Sequence, residues 1–102
     1  MPEVVLRRMR DLVRTNRYVM TTHGREAMEA DALTVFDVES CVLTGRVIRR
    51  QRDPIRREWK YLVRGTTTLG GPAVTVAKVG VGGILVIITV YASSASEADD
   101  DL

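Results

Sequence analysis

His23, the only histidine in the chain, follows Thr21 and Thr22 in a stretch that reads as a strand end running into a helix. An imidazole can take a proton from a hydroxyl near neutral pH, which makes His23 the first candidate for general acid–base chemistry. The alternative is a structural histidine that ties the strand to the helix. Far along the chain, Thr89 and Tyr91 lie two residues apart in an otherwise apolar run, so both hydroxyls share one face of a strand. A hydroxyl pair at the end of a strand inside a sheet could hold a ligand. Between these points lies a dense cationic stretch. Arg46, Arg49, Arg50, Arg52, Arg56, Arg57, Lys60 and Arg64 stand against Asp53 and Glu58, eight bases against two acids and a local charge of +6. Strand alternation places Trp59, Tyr61 and Val63 on one face and Lys60, Leu62 and Arg64 on the other. In the strand before it, Arg46 and Ile48 share a face, and Val47 and Arg49 share the opposite one. Cations alternating with apolar side chains, beside Trp59 and Tyr61, could neutralise phosphates and stack bases. The competing reading is a half-solvated hairpin whose aromatic residues belong to the core.

The charge balance favours an anionic partner. Net charge is only +2, but fourteen of the fifteen bases precede Gly65, while Glu97, Asp99, Asp100 and Asp101 give the end of the chain a local charge of −4. Thirteen bases are arginine, whose planar fork pairs bidentately with phosphate or carboxylate. RNA or an acidic protein surface is the implied partner; an ordinary arginine-rich surface is the alternative. Several chemistries are disfavoured. Cys41 is alone, so no internal disulfide forms. One histidine, one cysteine and no clustered carboxylates leave too few ligands for zinc, and no metal or cofactor is expected. The glycines at 70–71 and 80–83 lie between strands, whereas a phosphate-cradling loop opens a helix. No nucleophile elbow is present. The longest apolar run, 82–92, is about half of a membrane span, and Arg7, Arg8 and Arg10 are not followed by a secretory leader. A cytoplasmic protein is the simplest expectation.

The elements that must position these residues follow from periodicity. Residues 2–16 predict an amphipathic helix with Val5, Met9, Leu12 and Val13 on one stripe. A short strand at 18–20 precedes a second helix, capped by Thr21-Thr22 and running to about Ala32. Thr34 with Asp37 matches a capping box, and Leu33 with Val38 a hydrophobic staple, so a third helix runs to Gly45 with Cys41 as a buried hydrophobe. Four strands follow, at 46–51, 59–65, 74–80 and 84–91, joined by short turns. The expectation is a single α+β domain over 1–92, with a four-strand C-terminal antiparallel meander, a short N-terminal strand and three helices. An acidic flexible tail completes the chain at 93–102.

Thr22-His23, Arg25, Met28, the 34–45 helix, Arg46-Val47-Ile48, Lys60-Tyr61-Leu62-Val63 and Ile88-Thr89-Val90-Tyr91 together resemble a bacterial family, domain of unknown function 4258, over roughly residues 17–92. That family is similar to the RelE/MqsR-like toxins, small RelE/barnase-like α+β ribonucleases that cleave mRNA without metals and are neutralised by an antitoxin. The resemblance implies a toxin-like endoribonuclease with His23, Lys60, Thr89 and Tyr91 as site residues. His23 would transfer the proton, Lys60, Arg64 and Arg49 would neutralise the phosphorane, and Tyr91 or Thr89 would orient the phosphate. Arg25, Arg46, Arg50 and Tyr61 would complete the RNA contacts. An antitoxin protein is an implied partner, and a homodimer is compatible with the chain. The family pattern is Ser/Thr-x-His-Ala followed by basic residues. Here Gly24 replaces the alanine, and Ala27 and Asp31 stand where bases are expected. A non-catalytic RNA- or protein-binding module of the same fold is therefore the rival reading.

Overall fold

The β-branched run Leu85–Ala92 forms β5, an interior strand of the sheet. The computed structural model describes residues 2–93; the remainder of the expected acidic tail lies outside the described residues. In chain order the elements are α1 (Pro2–Arg14), β1 (Tyr18–Met20), α2 (Thr22–Ala30), α3 (Val35–Thr44), β2 (Arg46–Arg52), β3 (Trp59–Thr66), β4 (Pro72–Val79) and β5. The sheet order is β1-β5-β4-β3-β2. Strands β2 to β5 form the antiparallel meander that short turns dictate, while β1 joins its edge parallel to β5. The expected α+β class and element order are what the chain adopts.

All three helices pack against one face. Leu6, Met9, Leu12 and Val13 of α1, Met28 of α2, and Val38 and Val42 of α3 bury themselves on Val63, Ala77, Leu85, Ile87 and Val90. Helix ends differ slightly from the periodicity. Asn16 and Ala32 adopt left-handed backbone (φ 57 and 56), so α1 stops at Arg14 and α2 at Ala30. Cys41 is fully buried, with Sγ 3.4 and 3.3 Å from the Val63 and Ala73 carbonyl oxygens. Burial pushes its thiol pKa up, which fits a packing role.

The capping box at the start of α3 also clamps a loop. Asp37 Oδ2 accepts from the Thr34 backbone N–H at 2.8 Å, and Oδ1 accepts from the Thr68 N–H and hydroxyl at 3.0 and 2.8 Å. These donors, the Thr34 amide foremost, hold the Asp37 carboxyl down at about 2. A depressed carboxylate contributes stability above its unfolded pKa and loses it as pH falls toward the folded value. Asp37→Asn should therefore cost roughly 1 kcal/mol at neutral pH, and it should flatten the decline of stability between about pH 5 and pH 2. Urea midpoints across that range check this; an unchanged pH slope would assign the acid sensitivity elsewhere.

Candidate functional site

The face of the sheet opposite the helices carries most of the candidate residues. Directly opposed residues share a face, and the register aligns them in rows. Tyr91 stands across from Val74, Val74 from Arg64, and Arg64 from Arg46. The next row is Thr89, Val76, Leu62 and Arg49. Beyond it, Lys60 pairs with Gln51 and Lys78 with Val86. Ile48, Leu62, Val74 and Val76 are buried in the middle of this face, with Ile88 and Tyr91 packed against them, and no residue of a helix joins that cluster. Two bulges shape the face. One in β5 opposite Val76 and Ala77 sends Ile88 and Thr89 to the same side. The other, in β2 between Val47 and Arg49, corrects the simple alternation: Arg49 comes to stand across from Leu62, on the open face with Arg46. Arg64 Nε is buried without a hydrogen-bond partner among the described residues.

The N-terminus of α2 borders this face. The Thr21 backbone N–H donates to the Ile87 carbonyl at 3.0 Å, and its hydroxyl donates to Ile88 at 3.0 Å while accepting from the Gly24 N–H at 2.9 Å. Helix and strand meet closely enough that a Cβ at Gly24 would lie 3.0 and 3.1 Å from the Ile87 and Ile88 oxygens. Glycine thus suits that contact better than the alanine of the family pattern. Successive residues of a helix turn by about 100°, so Arg25 and His23 leave on opposite flanks of the Gly24 line. Arg25 lines a cavity with Tyr18, Met20, Met28 and Val35, on the helix-covered side. His23, exposed, leaves on the flank that adjoins the open face. There Thr21, Arg56, Lys60, Lys78 and Ile88 line a cavity of about 380 Å³ that also includes Asp53 and Val86. Lys60 is two strand spacings from β5, roughly 10 Å; His23 is not among the residues that line this trough.

Charge in the trough is partly balanced. Lys78 Nζ lies 3.0 Å from Glu58 Oε1. Asp53 Oδ1 accepts from the Arg56 and Ile55 amides, which hold its carboxyl below the usual range and fix the β2–β3 turn that presents Arg56. Among the described residues, Arg56, Lys60 and Lys78 of the trough thus adjoin two carboxylates, Asp53 and Glu58, each already occupied.

Residues 20–92 match the family described as Domain of unknown function (DUF4258). The chain belongs to that family. No curated protein and no solved structure matches it.

The DUF4258 fold brings together Lys60, Thr89, Tyr91, Arg46, Arg49 and Arg64 on one face, with His23 at its border. It separates three other candidates from them. Tyr61 packs against the helix-side core, so it is not available beside Lys60 for base stacking. Arg50 lies on the same side, 4.6 Å from the Trp59 ring centroid, with Arg52 at 5.4 Å. Arg25 is on the far flank of α2. The aromatic pair therefore belongs with the helices, as alternation about Leu62 requires. Sequence reasoning did not single out Lys78, Arg56 or Thr21 as site residues. Lys78 was legible in principle, because it alternates with Val74 and Val76; Arg56 and Thr21 reach the trough through a loop and a cap that no periodicity reports. The phenol with the largest pKa shift, Tyr18, lies elsewhere: burial, and then its hydrogen bond to Glu39, push it up to about 12.

Proposed function

We propose that this DUF4258 chain is a toxin-like, metal-independent endoribonuclease of the RelE/MqsR type, one half of a toxin–antitoxin pair. The observation that carries the reading is the sheet face opposite the helices, where Arg64, Arg46 and Arg49 share rows with Thr89 and Tyr91, and Lys60 stands on the row beyond them. A single RNA strand lies along this face with its phosphates on the cations. His23 accepts the proton of a 2′-hydroxyl whose oxygen attacks the adjacent phosphorus. The bond to the 5′ oxygen breaks, that oxygen takes a proton from water, and a 2′,3′-cyclic phosphate and a 5′-hydroxyl result. Lys60 and Arg64, with Arg49, neutralise the charge that builds on the phosphorane, and Tyr91 or Thr89 orients the phosphate.

One observation favours the non-catalytic module as a second reading. The flank of α2 that carries His23 continues with Ala27, not a base, and Asp31 accepts from the Ala92 N–H at 2.8 Å. Transition-state charge beside His23 then rests on the sheet alone. The test is incubation of the purified chain with RNA in a chelator, alongside Lys60→Ala/Arg64→Ala. Expected are fragments ending in cyclic phosphate, and a binding salt slope smaller by roughly 1.4 in the double variant, about 0.7 per single-strand phosphate contact. Intact RNA at large protein excess removes the nuclease reading; a retained salt slope would then keep the binding module.

A further inference from the structure

The aromatic pair that the pleat turns away from the open face lines a cavity of its own. On the helix side, Trp59 and Tyr61 of β3, Val79 of β4 and Val4 and Val5 of α1 enclose about 330 Å³. Small-molecule sites occupy ~300–1,000 Å³ and join apolar and aromatic walls to a few polar groups. Two polar side chains complete the lining here, Arg8 and Glu58. Lys78 Nζ holds Glu58 Oε1 at 3.0 Å, which fixes the carboxylate at the wall. The Arg8 guanidinium lies against the β4–β5 turn, where a Cβ at Gly83 would sit 3.2 Å from Nη2. Tyr61 and Val79 pack on the helix-side core, yet Trp59 keeps 36% of its surface open. Arg50 and Arg52, over the Trp59 ring, add positive charge beside it. An aromatic wall suits a flat ring, a guanidinium suits a phosphate, and a carboxylate accepts from an amino group.

We propose that this cavity binds a free nucleoside monophosphate whose base carries an exocyclic amino group. The base stacks on Trp59, its amino group donates to Glu58, and the phosphate pairs with Arg8. Each part of such a ligand meets one feature of the lining, and the volume matches one small molecule. Alternation along β3 puts Tyr61 and Trp59 on the side away from Lys60 and Arg64. Occupancy of the cavity therefore does not depend on RNA at the open face.

The test is calorimetric titration of the full chain with adenosine 5′-monophosphate, read in parallel as quenching of Trp59, the only tryptophan. A saturable signal is expected at millimolar ligand or below. Ribose 5-phosphate, which has no base to stack, should bind at least about tenfold more weakly. Inosine 5′-monophosphate, with a carbonyl oxygen in place of the amino group, should lose about tenfold as well. Arg8 is exposed on α1, so Arg8→Gln should spare the fold, weaken the nucleotide about tenfold and leave adenosine unchanged. Trp59→Ala should cost about tenfold, whereas Trp59→Phe, which keeps a ring, should stay within about threefold. No saturable signal at millimolar ligand overturns the proposal, as does equal affinity for ribose 5-phosphate. Binding lost in Lys60→Ala/Arg64→Ala and kept in Arg8→Gln puts the nucleotide on the open face and overturns it equally. A chain that binds the nucleotide through Arg8 and Trp59 but neither binds nor cleaves RNA keeps this site and removes the RNA reading.

Discussion

Replacing His23 by alanine should lower RNA cleavage by about a hundredfold or more while leaving oligoribonucleotide affinity within about twofold. The two readouts separate because of where the residue stands. His23 is exposed on α2, and the cations proposed to neutralise phosphate come from β2 and β3. Removing the imidazole takes away the proposed proton acceptor and leaves the proposed phosphate-binding rows intact. The substitution also spares the fold, since Thr21 supplies the helix cap and the tie to β5. Cleavage and binding measured on the same preparation, with unchanged thermal melting, make the comparison. Cleavage that survives the change would exclude His23 as the proton-transfer group.

The largest stability effect should come from Gly65→Ala, at the contact between α3 and β3. A Cβ at Gly65 would sit 2.1 Å from the Cys41 carbonyl oxygen and 2.9 Å from Thr44 Oγ1. The obstacle is backbone, so no rotamer change relieves it. Either α3 lifts from the sheet or β3 bends. Thr44 then loses its bond from the Thr66 N–H, at 2.9 Å, and the row holding Arg64 shifts. A cost of roughly 3 kcal/mol is expected, at the upper end of overpacking penalties. For a domain of this size that is a melting temperature lower by about 15 °C. Differential scanning calorimetry decides; a drop under a few degrees would mean that the helix and strand separate easily at this point.

Much of the architecture was legible because it follows from short-range rules. The capping box at Thr34 and Asp37 set the start of α3, and alternation around Leu62 sorted Tyr61 from Lys60. What failed did so for physical reasons that period-two reading cannot contain. The β2 bulge moves Arg49 across the sheet, and no residue type in Arg46–Arg52 announces it. The trough by Lys60 is closed by Arg56, held by the Asx turn of Asp53, and by Lys78, one strand further on. Both require the tertiary register. Tyr61 was drawn into the site by composition, because an aromatic beside arginines suggests stacking, but its face is fixed by the pleat. His23 and the Thr89 and Tyr91 hydroxyls come from opposite ends of the chain, and only the pairing of β1 with β5 sets the start of α2 beside the strand that carries those hydroxyls.

That pairing has a consequence for synthesis. β1 has a single neighbour in the sheet, and it is the last strand to be made: Tyr18 aligns with Leu85, and Met20 with Ile87. Until β5 has left the ribosome, the amide that fixes Thr21 has no carbonyl to meet, and His23 has no border to stand on. A nascent chain missing β5 therefore lacks the partner strand that fixes Thr21 and the start of α2, and the candidate site assembles only once β5 is in place.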